Sequence, residues 1–126
     1  MTETKTVASP GNQDMRASPR FVACWRAMAM APGMEPVAVK TRDVSMTGLS
    51  IVSEKKLKDI GEKMIIRVII PKGNLVSEGV SIDIPCTAVY SFISGDLIIY
   101  GMKVLVMDNP MAPIVTALEN KSAGSL

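Results

Sequence analysis

Residues 81–90, SIDIPCTAVY, carry the clearest periodicity in the chain. Apolar side chains recur there at every second position, which is the spacing of a β-strand with one face buried and the other exposed. The buried face is predicted to hold Ile82, Ile84, Cys86, Ala88 and Tyr90, and the exposed face Ser81, Asp83, Pro85 and Thr87. This segment therefore predicts a sheet packed against a core.

Strand signals of the same kind occur on both sides of this segment. The predicted strands are 21–26, 37–43, 49–52, 64–70 and 97–107. Pro32-Gly33 and Pro36 predict a long loop over residues 29–36, because both residue types punctuate regular structure. Six strands joined by turns favour an all-β, six-stranded antiparallel barrel, since closure leaves no exposed sheet edge.

The end of the chain has a different period. Met111, Ile114, Val115 and Leu118 are spaced as one face of a short α-helix, with Asp108 or Asn109 as its cap. We expect this stripe to pack on the barrel. The predicted organisation is therefore a flexible, polar tail over 1–14, a barrel domain over 15–108, and a C-terminal helix and tail over 109–126.

Composition restricts the function. The chain has 126 residues, 48% of them hydrophobic but only 4% aromatic, a net charge of +2 and no histidine. Such a balanced charge gives no field for holding long nucleic acid, and few aromatic side chains are present to stack on single-stranded RNA. Without histidine, and without a metal-ligand cluster or a nucleophile motif, we expect neither a metal site, nor a cofactor, nor an enzyme.

The cysteines and the N-terminus indicate a cytoplasmic protein. Cys24 and Cys86 lie far apart in the sequence without a metal-binding spacing, so we expect two reduced cysteines in the core. The first fourteen residues contain no apolar run, so neither a secretory signal nor membrane insertion is predicted.

Two clusters of polar residues stand at predicted strand ends. Arg16 and Arg20 form an RxxxR motif before the first strand, and Asp43, Ser45 and Gly48 form a DxSxxG motif between the second and third strands. Pro19 disfavours a helix here, so the arginines are expected on an extended, mobile arm. Taken alone, the first motif is more typical of solvated charge, and the second is also typical of a turn in a β-connection.

Together the motifs offer complementary chemistry. A guanidinium group can donate to O6 and N7 of guanine, chelate a phosphate or stack on a purine. A carboxylate such as Asp43 can accept from the N1 and N2 donors of guanine, which adenine lacks. Ser45 can add a hydrogen bond or hold the turn, and Gly48 allows positive φ or close backbone approach.

With these two motifs, and with Tyr100-Gly101-Met102 in the last strand, residues 15–108 resemble the PilZ domain family. The resemblance implies a six-stranded barrel that binds cyclic di-GMP. It implies that Arg16 and Arg20 contact guanine and phosphate, that Asp43 and Ser45 contact the second guanine region, and that Gly48 forms the turn.

The sequence departs from the family pattern in places. Met15 stands where many members have a further arginine, which favours one bound nucleotide over an intercalated pair. Thr47 replaces a frequent glycine, and Val104 lies near a frequent phenylalanine. The expected function is a cyclic di-GMP receptor whose ordered arm changes contacts with an unidentified downstream protein. The alternative is a PilZ-like interaction module without nucleotide binding.

Overall fold

A computed structural model describes residues 19–73 and 76–124 of the chain. Its strands are β1 (Phe21–Val22), β2 (Arg26–Ala31), β3 (Met34–Val44), β4 (Gly48–Ser53), β5 (Lys63–Ile70), β6 (Val80–Ser94) and β7 (Leu97–Val104), followed by helix α1 (Ala112–Gly124).

The strands form one sheet in the order β1-β3-β2-β5-β6-β7-β4, and an additional β3–β4 pairing closes it. Every pairing is antiparallel. The closed part is a six-stranded barrel, and β1 adds one short strand to it. The predicted fold class is therefore confirmed, with a single C-terminal helix and one strand more than expected.

Strands β1 and β2 lie along the same side of β3, where the sequence predicts one continuous strand. Val22 pairs with Asp43 and Arg26 pairs with Lys40, so three residues stand opposite two, and the chain must bulge. Thr41 holds this bulge: its buried hydroxyl accepts from the Trp25 N–H at 2.8 Å and donates to the Ala23 carbonyl at 2.5 Å.

The long loop predicted over residues 29–36 is wrong. Strand β2 runs to Ala31, and β3 begins at Met34 after a tight turn in which Gly33 has φ of 74°. The ladder skips a residue near this turn, because Ala29 pairs with Val37 and Ala31 with Met34. Pro36 lies in that irregularity, where a missing N–H is tolerated within a sheet.

The core is built from aliphatic side chains, as the composition predicts. The largest fully buried side chains are Leu49, Ile51, Ile66, Ile70, Ile84 and Met111. Helix α1 begins three residues after Asn109 and extends beyond residue 120. Its predicted apolar stripe packs on the barrel core, since Met111, Ile114 and Val115 are buried and Leu118 is partly buried.

Two side chains predicted in the core lie at the surface. Cys24 is exposed because the alternating pattern places it on the face opposite Ala23 and Trp25, whereas Cys86 is buried. Burial raises the pKa of the Cys86 thiol to about 12. Tyr90 is 44% exposed because a bulge at Val89 shifts the ladder between Ala88 and Tyr90 by one residue.

Candidate functional site

The DxSxxG segment forms a tight connection from β3 to β4, and Ser45 holds it together. The Ser45 side chain is buried, and its Oγ accepts from the N–H groups of Thr47 at 3.3 Å and Gly48 at 3.2 Å. The same hydroxyl lies 3.2 Å from the Gly48 carbonyl, to which it donates. The Ser45 hydroxyl therefore holds the turn, which is one of the two roles predicted for it, and its contact with a ligand stays a prediction.

Gly48 is required by close packing. A Cβ at this position would lie 2.3 Å from the Met102 carbonyl oxygen of β7, which no ordinary contact permits. The glycines with positive φ are Gly33, Gly61 and Gly95 in the described parts of the chain, so positive φ is not the reason for Gly48. Its role is to let β4 approach β7 at the start of their ladder.

Arg20 and Asp43 meet directly. The Arg20 Nη1 donates to the Asp43 Oδ1 at 2.6 Å, and the two side chains are 24% and 20% exposed. The pairing of β1 with β3 explains this contact, because Val22 stands opposite Asp43 and Arg20 lies just before β1. The structure therefore unites one residue of each motif. Arg16 lies outside the described residues.

One hydrogen-bond donor of the Arg20 guanidinium is not used within the part of the chain that the structure describes. Its Nε is buried and has no hydrogen-bond acceptor among residues 19–73 and 76–124. Ser50, which pairs with Asp43 across β3 and β4, likewise has a buried hydroxyl with no partner in the described chain. Both groups neighbour Asp43, so donors and acceptors are concentrated where the two motifs meet.

Asn109 ties helix α1 to the same connection. Its side-chain Nδ2 donates to the carbonyls of Ser45 at 3.2 Å and Met46 at 2.8 Å. Its Oδ1 accepts from the Met111 N–H at 2.8 Å, which caps the helix. The sequence predicts the cap but not the link to Ser45, because no local pattern relates positions 64 residues apart.

Charged side chains of both signs lie on the neighbouring surface, with Glu54 beside the basic residues. Arg42, which precedes Asp43 on β3, is exposed. A cleft of about 590 Å³ lies on the neighbouring part of β2, β3 and β4, and the exposed Arg26 and Lys40 are among its lining residues. Its lining does not include Arg20, Asp43, Ser45 or Gly48, so the cleft and the united motifs are separate features of the described surface.

Other site classes have little support in the described residues. No group of three or more histidine, cysteine, aspartate or glutamate side chains there could hold a metal ion. None of the helices in that part is long and apolar enough to cross a membrane. The candidate site consists of polar side chains from Arg20 just before β1, from β3 and β4, and from the cap of α1.

No protein-family model matches the sequence, and no curated protein matches it. Solved structures do. The Bacillus subtilis inhibitor of motility, MotI/DgrA, is similar with a TM-score of 0.68 and 13% identity over 86% of this chain and 52% of that one. This chain thus spans about half the length of that protein.

The PilZ domain of YcgR from Escherichia coli, solved with c-di-GMP, is similar with a TM-score of 0.59 and 14% identity over 87% of this chain and 95% of that domain. The TM-scores show a shared fold, and at 13–14% identity they show the fold alone. The chain is a small closed β-barrel with a C-terminal helix. Its fold is that of a PilZ domain.

Proposed function

We propose that this chain is a receptor for cyclic di-GMP that binds the nucleotide where the two motifs meet. The observation that carries the proposal is the 2.6 Å contact between Arg20 and Asp43. It places a guanidinium and a carboxylate side by side at the rim of the barrel, and each matches one edge of guanine. The YcgR domain, which shares the fold, was solved with c-di-GMP.

Guanine can replace the direct ion pair. Its O6 and N7 accept hydrogen bonds on one edge, and its N1 and N2 donate on the adjacent edge. A guanine lying between the two side chains would satisfy Arg20 with the first edge and Asp43 with the second. Adenine would bind more weakly at both edges, because it offers Arg20 only N7 beside the N6 donor, and its unprotonated N1 cannot donate to Asp43.

The remaining motif residues have supporting roles in this proposal. Ser45 and Gly48 fix the turn that presents Asp43, through the hydroxyl bonds of Ser45 and the close approach of β4 to β7. Arg16 would contact phosphate or guanine from the segment that precedes Arg20. In this scheme the arm becomes ordered over the nucleotide, and binding must offset the entropy lost by that segment.

The output of such a receptor would be a change in surface. The ordered arm would alter contacts with a downstream protein, without any covalent chemistry, and the protein would act in the cytoplasm, where a second messenger is made and sensed. Because Met15 stands in place of a further arginine, we expect one nucleotide per chain rather than an intercalated pair.

Titration calorimetry with cyclic di-GMP tests this proposal. Arg20→Ala and Asp43→Ala should each weaken binding at least about tenfold, because each removes a charge-assisted hydrogen bond of about 1.5–3 kcal/mol. GMP should compete poorly, since it carries only one guanine.

Arg67 provides a matched control. It forms an ion pair of the same type with Asp83, with an Nε–Oδ1 distance of 2.7 Å, but on the exposed surface of β5 and β6. That contact raises the pKa of Arg67 and lowers the pKa of Asp83, mainly through the hydrogen bond between them. Arg67→Ala should leave affinity unchanged. Wild-type protein that gives no heat, or Arg20→Ala that binds as tightly as wild type, would refute the proposal.

One observation favours the alternative, a PilZ-like interaction module without nucleotide binding. In this structure Arg20 and Asp43 already neutralise each other, and the Ser45 hydroxyl is already satisfied within the turn. Such a protein would keep its thermal midpoint when cyclic di-GMP is added and raise it when a partner protein is added.

A further inference from the structure

Strand β6 extends well past its neighbour β5. The β5–β6 ladder ends where Lys63 pairs with Thr87, and the last backbone bond on that side is from the Gly61 N–H to the Ala88 carbonyl. Beyond this point β6 pairs only with β7, as far as Ser94 opposite Leu97. Within the described residues, the other edge of segment 89–94 is therefore a free strand edge.

The free edge carries exposed apolar side chains. The exposed fractions are 50% for Val89, 44% for Tyr90, 47% for Phe92 and 77% for Ile93. Natural sheets protect open edges with lysine, proline or inward-pointing charge, yet the sequence between Asp83 and Asp96 contains no charged residue. Such an edge favours pairing with another strand.

The sequence of the edge is symmetric about Ser91. It runs Val89-Tyr90-Ser91-Phe92-Ile93, so that a β-branched residue and an aromatic residue flank the serine on each side. When two such segments pair antiparallel about a two-fold axis at Ser91, Val89 meets the partner's Ile93 and Tyr90 meets the partner's Phe92. Aromatic and β-branched cross-strand pairs are among the favourable ones in sheets.

The backbone geometry agrees with this register. Ser94 and Leu97 close the Gly95-Asp96 turn, so Phe92 and Tyr90, at alternate positions from Ser94, bond towards β7. The N–H and C=O of Ser91 then point to the free edge and can exchange bonds with the partner's Ser91. Tyr90 and Phe92 would occupy non-hydrogen-bonded positions, where opposite side chains approach most closely.

The aromatic side chains already lie together on one face. The rings of Tyr90 and Phe92 are stacked with centroids 6.2 Å apart and planes 11° from parallel. A two-fold axis would join this pair to the same pair of a second copy, which gives a four-ring cluster across the seam. We propose that the 89–93 edge of β6 is a homodimer interface, in which two copies of this chain continue one sheet through β6.

A second copy fits this edge better than an unrelated strand. The like-with-like pairing arises only when the two segments are identical and antiparallel. Two-fold pairing also closes, because each copy covers the 89–93 edge of the other and leaves neither of these two edges open to a third chain. Without charges in the segment, no like charges meet across the axis.

Cysteine cross-linking tests the register. In a Cys24→Ser background, Ser91→Cys should form a disulfide-linked dimer under mild oxidation, because Cα atoms in such a pair lie about 5.5 Å apart. Ser81→Cys is the matched control. It is exposed on the same strand, but Ser81 pairs with Ile69 of β5 and should not cross-link.

Light scattering at increasing concentration tests the interface independently. Phe92→Lys should raise the dimer dissociation constant about tenfold, through loss of two symmetric aromatic pairs and addition of two cations. Ile69→Lys, at an exposed residue that pairs with Ser81 at the other end of the β5–β6 ladder, should leave it unchanged. The inference would be overturned by a wild-type chain that stays monomeric, or by a Ser91→Cys variant that cross-links no better than Ser81→Cys. Multimers larger than a dimer, or binding of a different protein to this edge, would also overturn it.

Discussion

Arg20 and Asp43 form the contact on which the proposed site depends, but this contact contributes little to stability. Their side chains are 24% and 20% exposed; exposed ion pairs are worth about 0–1 kcal/mol, and in more buried pairs the cost of desolvation offsets most of the attraction. The Arg20 Nε is also buried without an acceptor in the described chain. We therefore expect substitutions here to affect ligand affinity far more than the free energy of unfolding.

A substitution at Gly48 should, in contrast, mainly lower the free energy of unfolding. Gly48→Ala would place a Cβ against the Met102 carbonyl, a backbone atom that cannot move without shifting β7. We expect the free energy of unfolding in urea to fall by about 1–3 kcal/mol, as overpacked sites do. Gly73→Ala is the control, since its nearest neighbour would be 4.0 Å away. Equal midpoints for the two variants would contradict this prediction.

Gly101 belongs to the Tyr100-Gly101-Met102 segment that resembles the family pattern, but the sequence does not show why a glycine is needed there. The Tyr90 ring lies over it, with Cε2 2.1 Å from where a Cβ would be. The two residues pair across β6 and β7, so the aromatic ring covers the gap that a glycine leaves in a strand. The sequence predicts neither this cover nor the exposure of Tyr90, because both follow from the bulge at Val89.

At the scale of elements, local alternation predicts the strands well and their irregularities poorly. The strands predicted at 49–52 and 64–70 lie within β4 and β5, and the apolar stripe of α1 packs on the barrel as predicted. The bulges near Trp25, Pro36 and Val89 are not predicted. A bulge is defined by how many residues the partner strand places opposite, and this count is absent from any single segment.

The candidate site shows the same division. The spacing of its motifs predicts that Asp43 and Ser45 lie in one turn, and it suggests that Arg20 reaches them. Asn109 and Ser50 are missed, because they join the site through the helix cap and the β3–β4 register. Contacts of this kind depend on tertiary structure and leave no local signal.

The link between α1 and the DxSxxG turn can be tested at Asn109. Asn109→Ala removes the cap and both bonds to the turn, and we expect a loss of about 0.5–2 kcal/mol from the cap alone. Asn109→Asp keeps an acceptor for the Met111 N–H but loses the donor to Ser45 and Met46.

If Asn109 positions the turn, both variants should bind cyclic di-GMP more weakly, whereas only Asn109→Ala should lose helix stability through the missing cap. Urea unfolding and calorimetry on the same samples separate the two effects. Unchanged affinity in Asn109→Asp would show that the helix cap does not position the turn.

At the scale of the whole molecule, barrel closure is what assembles the site. Strand β3 pairs with β1 and β4 at its C-terminal end, and β4 in turn pairs with β7. This arrangement brings Arg20, Asp43 and Asn109 to one rim, although they span 90 positions of the sequence. The proposed dimer edge at 89–93 lies on β6, which does not pair with β3, so ligand binding and dimerisation can be tested separately.

The most direct test of the proposed receptor is an NMR titration of the wild-type chain with cyclic di-GMP, followed through its backbone amides. The largest chemical-shift changes should fall on Arg20, on residues 43–48 and on Asn109, with smaller ones on β5. Amides that do not shift at all, or that shift mainly around Lys63 and Ile70 while those of Arg20 and Asp43 stay fixed, would contradict the account.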